Sequence, residues 1–227
     1  MTNLTVLHSA LAGVYLLTPD AASFGFNNVL KVVGHALNAG VRAVQYRDKG
    51  ADPASRLDRA QQLMALTHSA AALLIVNDSV EVAAASGADG LHLGRDDGDL
   101  SVARRRLPNR ILGVSCYDQL EAARAAIAAG ADVIAFGSMF ASSTKPTAVR
   151  APLTLLSQAR SNWPHQRIVA IGGINRGNIA AVARAGAHAA AVLDAVFGAS
   201  NPALAARELV QGFNEGRHEH DEQRTTV

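Results

Sequence analysis

Short apolar runs rich in β-branched residues recur along the chain. Between them lie longer stretches whose apolar positions are spaced three and four residues apart. The first pattern is that of strands buried on both faces, and the second that of helices with one apolar side. Eight such pairs follow one another. The predicted strands are Val14–Thr18, Val41–Arg47, Leu73–Val76, Gly90–Leu93, Ile111–Ser115, Val133–Phe136, Ile168–Ile171 and Ala189–Leu193. The predicted helices fall at about 27–38, 53–69, 79–86, 98–106, 118–129, 152–161, 176–184 and 201–214. This alternation points to βαβ units around a parallel sheet.

Turn chemistry agrees with these borders. Gly40-Val41, Gly87-Ala88, Gly130-Ala131 and Gly186-Ala187 each separate a helix from the next strand. Glycine accepts the left-handed backbone that ends a helix. Asp52-Pro53 and Ala151-Pro152 place proline where a helix begins. No linker or shift in composition divides the chain, so residues 1–215 read as one α/β domain. Eight units in one domain favour a closed (β/α)8 TIM barrel over an open sheet. Residues 216–227 are polar and aperiodic. They are expected to form a disordered tail, with His218 and His220 solvated.

Composition narrows the classes of function. Hydrophobic residues make up 49% of the 227 and charged residues 18%, the balance of a folded domain. The net charge is +2, and no Lys/Arg stripe with interleaved aromatics suggests nucleic acid. No apolar run reaches the roughly 18–20 residues that cross a bilayer. The first residues lack the pattern of a signal peptide, and the single cysteine, Cys116, cannot form an intramolecular disulfide. The expectation is a cytoplasmic protein with small-molecule partners, and a homo-oligomer is compatible with it.

In such a barrel the chemistry gathers at the C-terminal ends of the strands. The second predicted strand runs out in Gln45-Tyr46-Arg47-Asp48-Lys49. Alternation sends Gln45, Arg47 and, if the strand continues, Lys49 to the same side, where they form a site or a solvated basic turn. The third ends in Asn77-Asp78 and the fourth in Gly94-Arg95-Asp96-Asp97. Carboxylates on neighbouring strands suit Mg²⁺, which keeps waters and takes further ligands from substrate phosphates. Asp78 and Asp97 are the chosen pair. Asp78 also reads as the N-cap of the next helix, and Asp96 as a cap of the fourth. Ser115 either bonds a substrate or caps a helix. Cys116 reads as a small buried residue, and His92, between Leu91 and Leu93, as a structural hydrogen-bonded one. The loop after the sixth strand carries Ser142, Ser143, Thr144 and Lys145. It either wraps a diphosphate or lies on the surface, and it lacks Walker glycine spacing. Gly172-Gly173 and Leu193-Asp194 end the last two strands, where barrels of this kind often bind phosphate.

The segments YLLTPD, VQYRDKG, LLIVNDSVEVAAASGADGLHLGRDD, ILGVSCYD, GADVIAFGSMFASSTK and IVAIGGI make the chain resemble the thiamine phosphate synthase family over about residues 12–214. The resemblance implies a transferase that joins 4-amino-2-methylpyrimidine-5-methyl diphosphate to a (carboxy)thiazole phosphate. Thiamine phosphate and diphosphate are the products, formed by Mg²⁺-assisted dissociative displacement. It implies that Arg47, Lys49 and Lys145 hold the diphosphate and that Asp78 and Asp97 hold Mg²⁺. Gln45, Asn77 and Ser115 would orient the pyrimidine, while Ser142 and Thr144 would touch substrate near the leaving group. The backbone around Gly172, Gly173, Leu193 and Asp194 would receive the thiazole phosphate. Arg47, Lys49, Ser115 and Lys145 form the expected catalytic set.

The chain departs from the family at Ser138, where proline is usual, at Ser142 for threonine, and at Asp194, where serine is usual. Loss of the proline is expected to loosen the loop. A carboxylate at Asp194 is expected to turn away from the phosphate or to weaken its site. Rival readings are a thiazole tautomerase of the same barrel type, which would need a histidine base at the mouth, and a non-catalytic phosphate-binding barrel.

Overall fold

The computed structural model describes residues 11–95, 97–141 and 149–225. Eight parallel strands close into a barrel in chain order, with the last beside the first. The strands are β1 (Gly13–Leu17), β2 (Ala43–Tyr46), β3 (Leu73–Asn77), β4 (Gly90–Leu93), β5 (Ile111–Tyr117), β6 (Val133–Phe136), β7 (Arg167–Ile171) and β8 (Ala189–Val192). Closure pairs Gly13 with Ala189 and Leu16 with Val192. The helices that cover the barrel are α2 (Phe26–Asn38), α3 (Pro53–Ser69), α4 (Val80–Ser86), α5 (Leu100–Arg106), α6 (Leu120–Ala128), α7 (Thr154–Asn162), α8 (Ile179–Arg184) and α10 (Pro202–Thr225). Two single turns, α1 (Ala21–Phe24) and α9 (Asp194–Phe197), were not expected from the sequence. Among the described residues no helix is long and apolar enough to cross a membrane.

The two-residue period of the strands builds two cores. Tyr15, Leu17, Leu73, Ile75, Ile111, Val133 and Val169 fill the barrel. Their chain neighbours Leu16, Leu74, Leu112, Ile134 and Ile168 pack outward against the helices. The inward parity therefore passes through Gln45, Asn77, His92 and Ser115 as it approaches the mouth.

At the opposite end, one device recurs on alternate strands. Asp89, just before β4, accepts the Leu74 N–H at 2.9 Å and meets His68 at 3.2 Å. Asp132, just before β6, accepts the Leu112 N–H at 2.8 Å and pairs with Arg104 at 2.5 Å. Before β8 the same place is taken by His188, whose Nδ1 accepts the Ile168 N–H at 3.1 Å. Its Nε2 faces the Arg160 guanidinium. Burial, followed by the charges of Arg160, Arg167 and His220, pushes the His188 pKa down to about 3.

The expected tail is instead helix. α10 runs on to Thr225 along α8. Gly216 lets the helices touch: a methyl group there would come within 2.1 Å of the Ala180 carbonyl oxygen. Glu219 pairs with Arg184 at 2.5 Å, and the His220 Nδ1 donates to the Arg184 carbonyl oxygen at 2.9 Å. These contacts give a polar, aperiodic segment a neighbour to fold against, which its own pattern does not reveal.

Candidate active site

Strand β2 stops at Tyr46, so Arg47 and Lys49 stand on a loop and not in one row on a strand. Each meets a different carboxylate. Arg47 Nη1 lies 3.3 Å from Asp20 Oδ2, and the Lys49 N–H donates to Asp20 Oδ1 at 2.7 Å. Lys49 Nζ lies 3.0 Å from Asp78 Oδ2. Thr18 adds a second link from the β1 loop: it accepts the Arg47 N–H at 3.0 Å, and its hydroxyl donates to the Arg47 carbonyl at 3.1 Å. Asp20 reads in sequence only as part of a Thr-Pro-Asp turn, because its partners lie 27 and 29 residues away.

Asp78 follows β3 with a φ of 67°, in the left-handed region that aspartate tolerates better than bulky residues. It does not cap the next helix. Ser79 does, accepting the Val82 N–H at 3.2 Å. Likewise α5 is capped by Asp99, which accepts the Ser101 N–H at 2.6 Å, while Asp96 lies outside the described residues. Asp97 accepts the Gly94 N–H at 2.8 Å and is held within hydrogen-bond reach of Asp78. Burial, and then the neighbouring Asp97, hold the Asp78 carboxyl above its usual range. The hydrogen bond from Asp78 holds Asp97 below it. Two carboxylates brought together this way repel unless a proton or a cation sits between them. Among the described residues no third carboxylate, histidine or cysteine completes a cluster. An all-oxygen pair with room for water and substrate oxygens suits Mg²⁺ and not a closed zinc site.

Beneath this pair lies a polar wall. Gln45 is buried, and its amide donates to the Tyr15 hydroxyl at 3.0 Å. Burial pushes the Tyr15 phenol well above its usual range, so it stays protonated. His92 Nε2 lies 2.9 Å from Ser115 Oγ. Burial pushes the His92 pKa down to about 4, which keeps the ring neutral. Ser115 thus faces the barrel interior from within β5 and caps no helix. Asn77 pairs in register with His92, completing the wall. Cys116 is buried and its thiol is pushed up to about 12, as an inert residue requires. Tyr15, a supporting member of the wall, was missed in sequence, although its place two residues before Leu17 gave it the inward parity.

The opposite rim is formed by the ends of β6, β7 and β8. Gly172 and Gly173 have φ of 103° and 61°, which bulky side chains rarely adopt. A side chain on either would strike Ser138 or Ala141 at 2.1 Å, so the glycines admit the β6 loop. That loop is tied down: Met139 and Phe140 N–H groups donate to the Ile171 and Gly172 carbonyls, both at 2.9 Å. Ser138 N–H donates to the Val149 carbonyl at 3.1 Å, a bond proline cannot make. The loosening expected at Ser138 is therefore offset. Asn178 holds the turn beyond, donating to the Gly173 carbonyl at 3.0 Å and accepting the Asn175 N–H at 2.8 Å. Leu193 packs partly against the barrel interior. Asp194 opens α9 and is exposed. Its carboxylate lies back along that turn, 2.7 Å from where a side chain on Gly198 would stand. Ser142, Thr144 and Lys145 lie outside the described residues.

A family model described as thiamine monophosphate synthase matches residues 14–196. The chain belongs to this family. It is 48% identical over 202 residues to a thiamine-phosphate synthase of Chromobacterium violaceum, covering 88% of this chain and 96% of the relative. A thiamine-phosphate synthase of Azoarcus sp. is 50% identical over 193 residues, 85% of this chain and 92% of that one. Among solved structures, thiamine phosphate pyrophosphorylase from Pyrococcus furiosus superposes with a TM-score of 0.84 at 33% identity, covering 92% of this chain and 98% of that one. A 3-hexulose-6-phosphate synthase from Salmonella typhimurium, with a TM-score of 0.69 at 17% identity, shares the fold alone. The family's match spans every strand end described above, from Tyr15 to Asp194.

Proposed function

We propose that the protein is a thiamine phosphate synthase acting at this mouth. The observation that carries the reading is the meeting of Lys49, Asp78 and Asp97 above the Gln45–Asn77–Ser115 wall, in a chain of this family. The substrates are a 4-amino-2-methylpyrimidine-5-methyl diphosphate and a thiazole phosphate.

The bond between the pyrimidine methylene and the diphosphate oxygen breaks first, and its electron pair leaves with the diphosphate. The thiazole nitrogen then gives its lone pair to the methylene carbon. Negative charge grows on the leaving group, so cations fixed there favour the transition state over the ground state. Arg47 and Lys49 supply that charge from one loop, and Lys145 joins them from the β6 loop. Asp78 and Asp97 would hold Mg²⁺, which when bound neutralises diphosphate charge as a Lewis acid. One N–H of Gln45 donates to Tyr15, which orients the amide so that its oxygen would accept from the pyrimidine amino group. Ser115 is steered by His92 and, with Asn77, orients the ring. Ser142 and Thr144 complete the contacts near the leaving group. On the far rim, N–H groups around Gly172, Gly173, Leu193 and Asp194 receive the thiazole phosphate, with the Asp194 carboxylate turned back along α9.

No step needs a protein base, because the amino group of the pyrimidine pushes the electrons. The neutral, buried His92 suits that scheme better than the histidine base at the mouth that a tautomerase would require. The test is direct. Purified protein, both substrates and Mg²⁺ should yield thiamine phosphate, read after oxidation to its fluorescent product, and chelation of Mg²⁺ should stop it. Folded protein that makes no product refutes the proposal.

A further inference from the structure

Asp48 stands between Arg47 and Lys49, yet it takes no part in the arrangement just described. Its side chain turns into the wall between β2 and α3, where it is 1% exposed. Arg59 Nη1, from α3, lies 2.6 Å from Asp48 Oδ2, and the Tyr46 hydroxyl donates to the same oxygen at 3.4 Å. The Arg59 guanidinium is itself stacked over the Phe26 ring, 5.6 Å from its centre. Arg56, one turn earlier on α3, donates to the Ala51 carbonyl at 2.9 Å and reaches the Lys49 carbonyl at 3.5 Å.

On its other side the loop is tied to the end of β1 through Thr18 and Asp20. A cavity of about 230 Å³ lies beneath it, bounded by Asp48, Lys49, Arg56, Asn77 and Asp78. Asp48 Oδ1 and Arg56 Nε are buried there without a protein partner. Packing leaves this space open, so polar bonds hold the loop, to α3 on one side and to the β1 end on the other. Removing one partner of a buried charged pair leaves the other charge uncompensated, which favours any shift of the loop that lets water reach it.

We infer that Asp48 is a positioning residue: clamped by Arg59 and Tyr46, it fixes the backbone from which Arg47 and Lys49 reach the diphosphate. The inference rests on the diphosphate assignment above. It gives Asp48 an effect on one substrate only. The acceptor phosphate is received on the far rim, by the β7 and β8 ends, which the clamp does not touch.

The experiment compares Asp48→Asn, which keeps the shape and removes the charge, with Arg59→Lys, which keeps a cation and loses the planar fork. Because small displacements of a charge at a reacting centre cost up to about a hundredfold in rate, kcat/KM for the pyrimidine diphosphate should fall by roughly tenfold to a hundredfold. The KM for the thiazole phosphate should stay within about twofold of wild type. The control is Ile134→Val, a buried residue of the outer core far from the loop. It should lower the melting temperature without this split between substrates. Variants that lose melting temperature but keep both kinetic constants, or that shift both substrates alike, overturn the inference. Arg59→Lys decides it should Asp48→Asn fail to fold. Inorganic diphosphate with Mg²⁺, titrated by thermal shift, keeps the two proposals separable. An inactive wild type would sink the synthase reading, yet a weaker diphosphate midpoint in the variants would still support the clamp, and an unchanged midpoint would refute it.

Discussion

Replacing His188 with aspartate should remove a pH-dependent weakness from the barrel floor. Aspartate fills the corresponding place before β4 and β6, as Asp89 and Asp132, each against a basic partner. His188 faces Arg160 instead, and its pKa lies near 3 where a free histidine has 6.5. A depressed histidine stays neutral in the folded protein while the unfolded chain takes up a proton. The folded state is therefore undiminished above about pH 6.5, and it loses stability as the pH falls from there toward 3. At pH 5 the unfolded form is favoured by about one and a half pKa units, or about 2 kcal/mol at most, and about 1–2 kcal/mol after allowing for partial exposure. For a chain of this size that is a fall of about 2–8 °C in melting temperature between pH 7.5 and pH 5. Aspartate in its place keeps the acceptor for the Ile168 N–H and adds attraction to Arg160. The variant should be about as stable as wild type or better at pH 7.5, and should lose less on acidification. Melting curves from pH 5 to 7.5 on both proteins measure the difference, in which other titrating groups such as His92 cancel. Parallel curves would refute the reasoning.

Three further outcomes follow from the geometry. Asp97→Asn removes one of the paired carboxylates, so the Mg²⁺ concentration needed for half-maximal activity should rise by at least about tenfold; an unchanged magnesium titration would remove Asp97 from the metal site. Gly216→Ala places a methyl group 2.1 Å from the Ala180 carbonyl oxygen and should cost about 1–3 kcal/mol in urea unfolding; a neutral effect would mean that α10 does not press on α8 there. Asp194→Ser should leave the KM for the thiazole phosphate within about twofold, because the carboxylate already lies back toward Gly198; a marked gain in affinity would show that it opposes the acceptor.

The periodicity of the chain carried most of the fold. Every expected strand is present to within two residues at either end, because a parallel barrel buries both faces of each strand and leaves a continuous apolar signature. What failed was local information about distant partners. The polar run after residue 215 looked unstructured because its helix depends on Arg184 and Ala180, more than thirty residues earlier in the chain. Arg47 and Lys49 were aligned by strand parity, but the strand ends at Tyr46, so each follows its own carboxylate. At His92 the parity was legible and so was a structural role, whereas its partner Ser115 belongs to the next strand and no spacing announces it. Asp78 and Asp97 could be paired from sequence because both end neighbouring strands, a relation that barrel topology fixes in advance.

The hydrogen bond from the Ser138 N–H to the Val149 carbonyl bears on Lys145 as well. With Ala151 N–H also donating to the Ser138 carbonyl at 3.0 Å, the two ends of that excursion are pinned together on the barrel rim. Lys145 stands four residues before Val149, and a tether of that length spans roughly 14 Å at full stretch. The segment from Ser138 to Val149 therefore starts and ends at one place on the rim, whatever its path. Any ordering of that segment carries the closure entropy of a short ring instead of a long open loop.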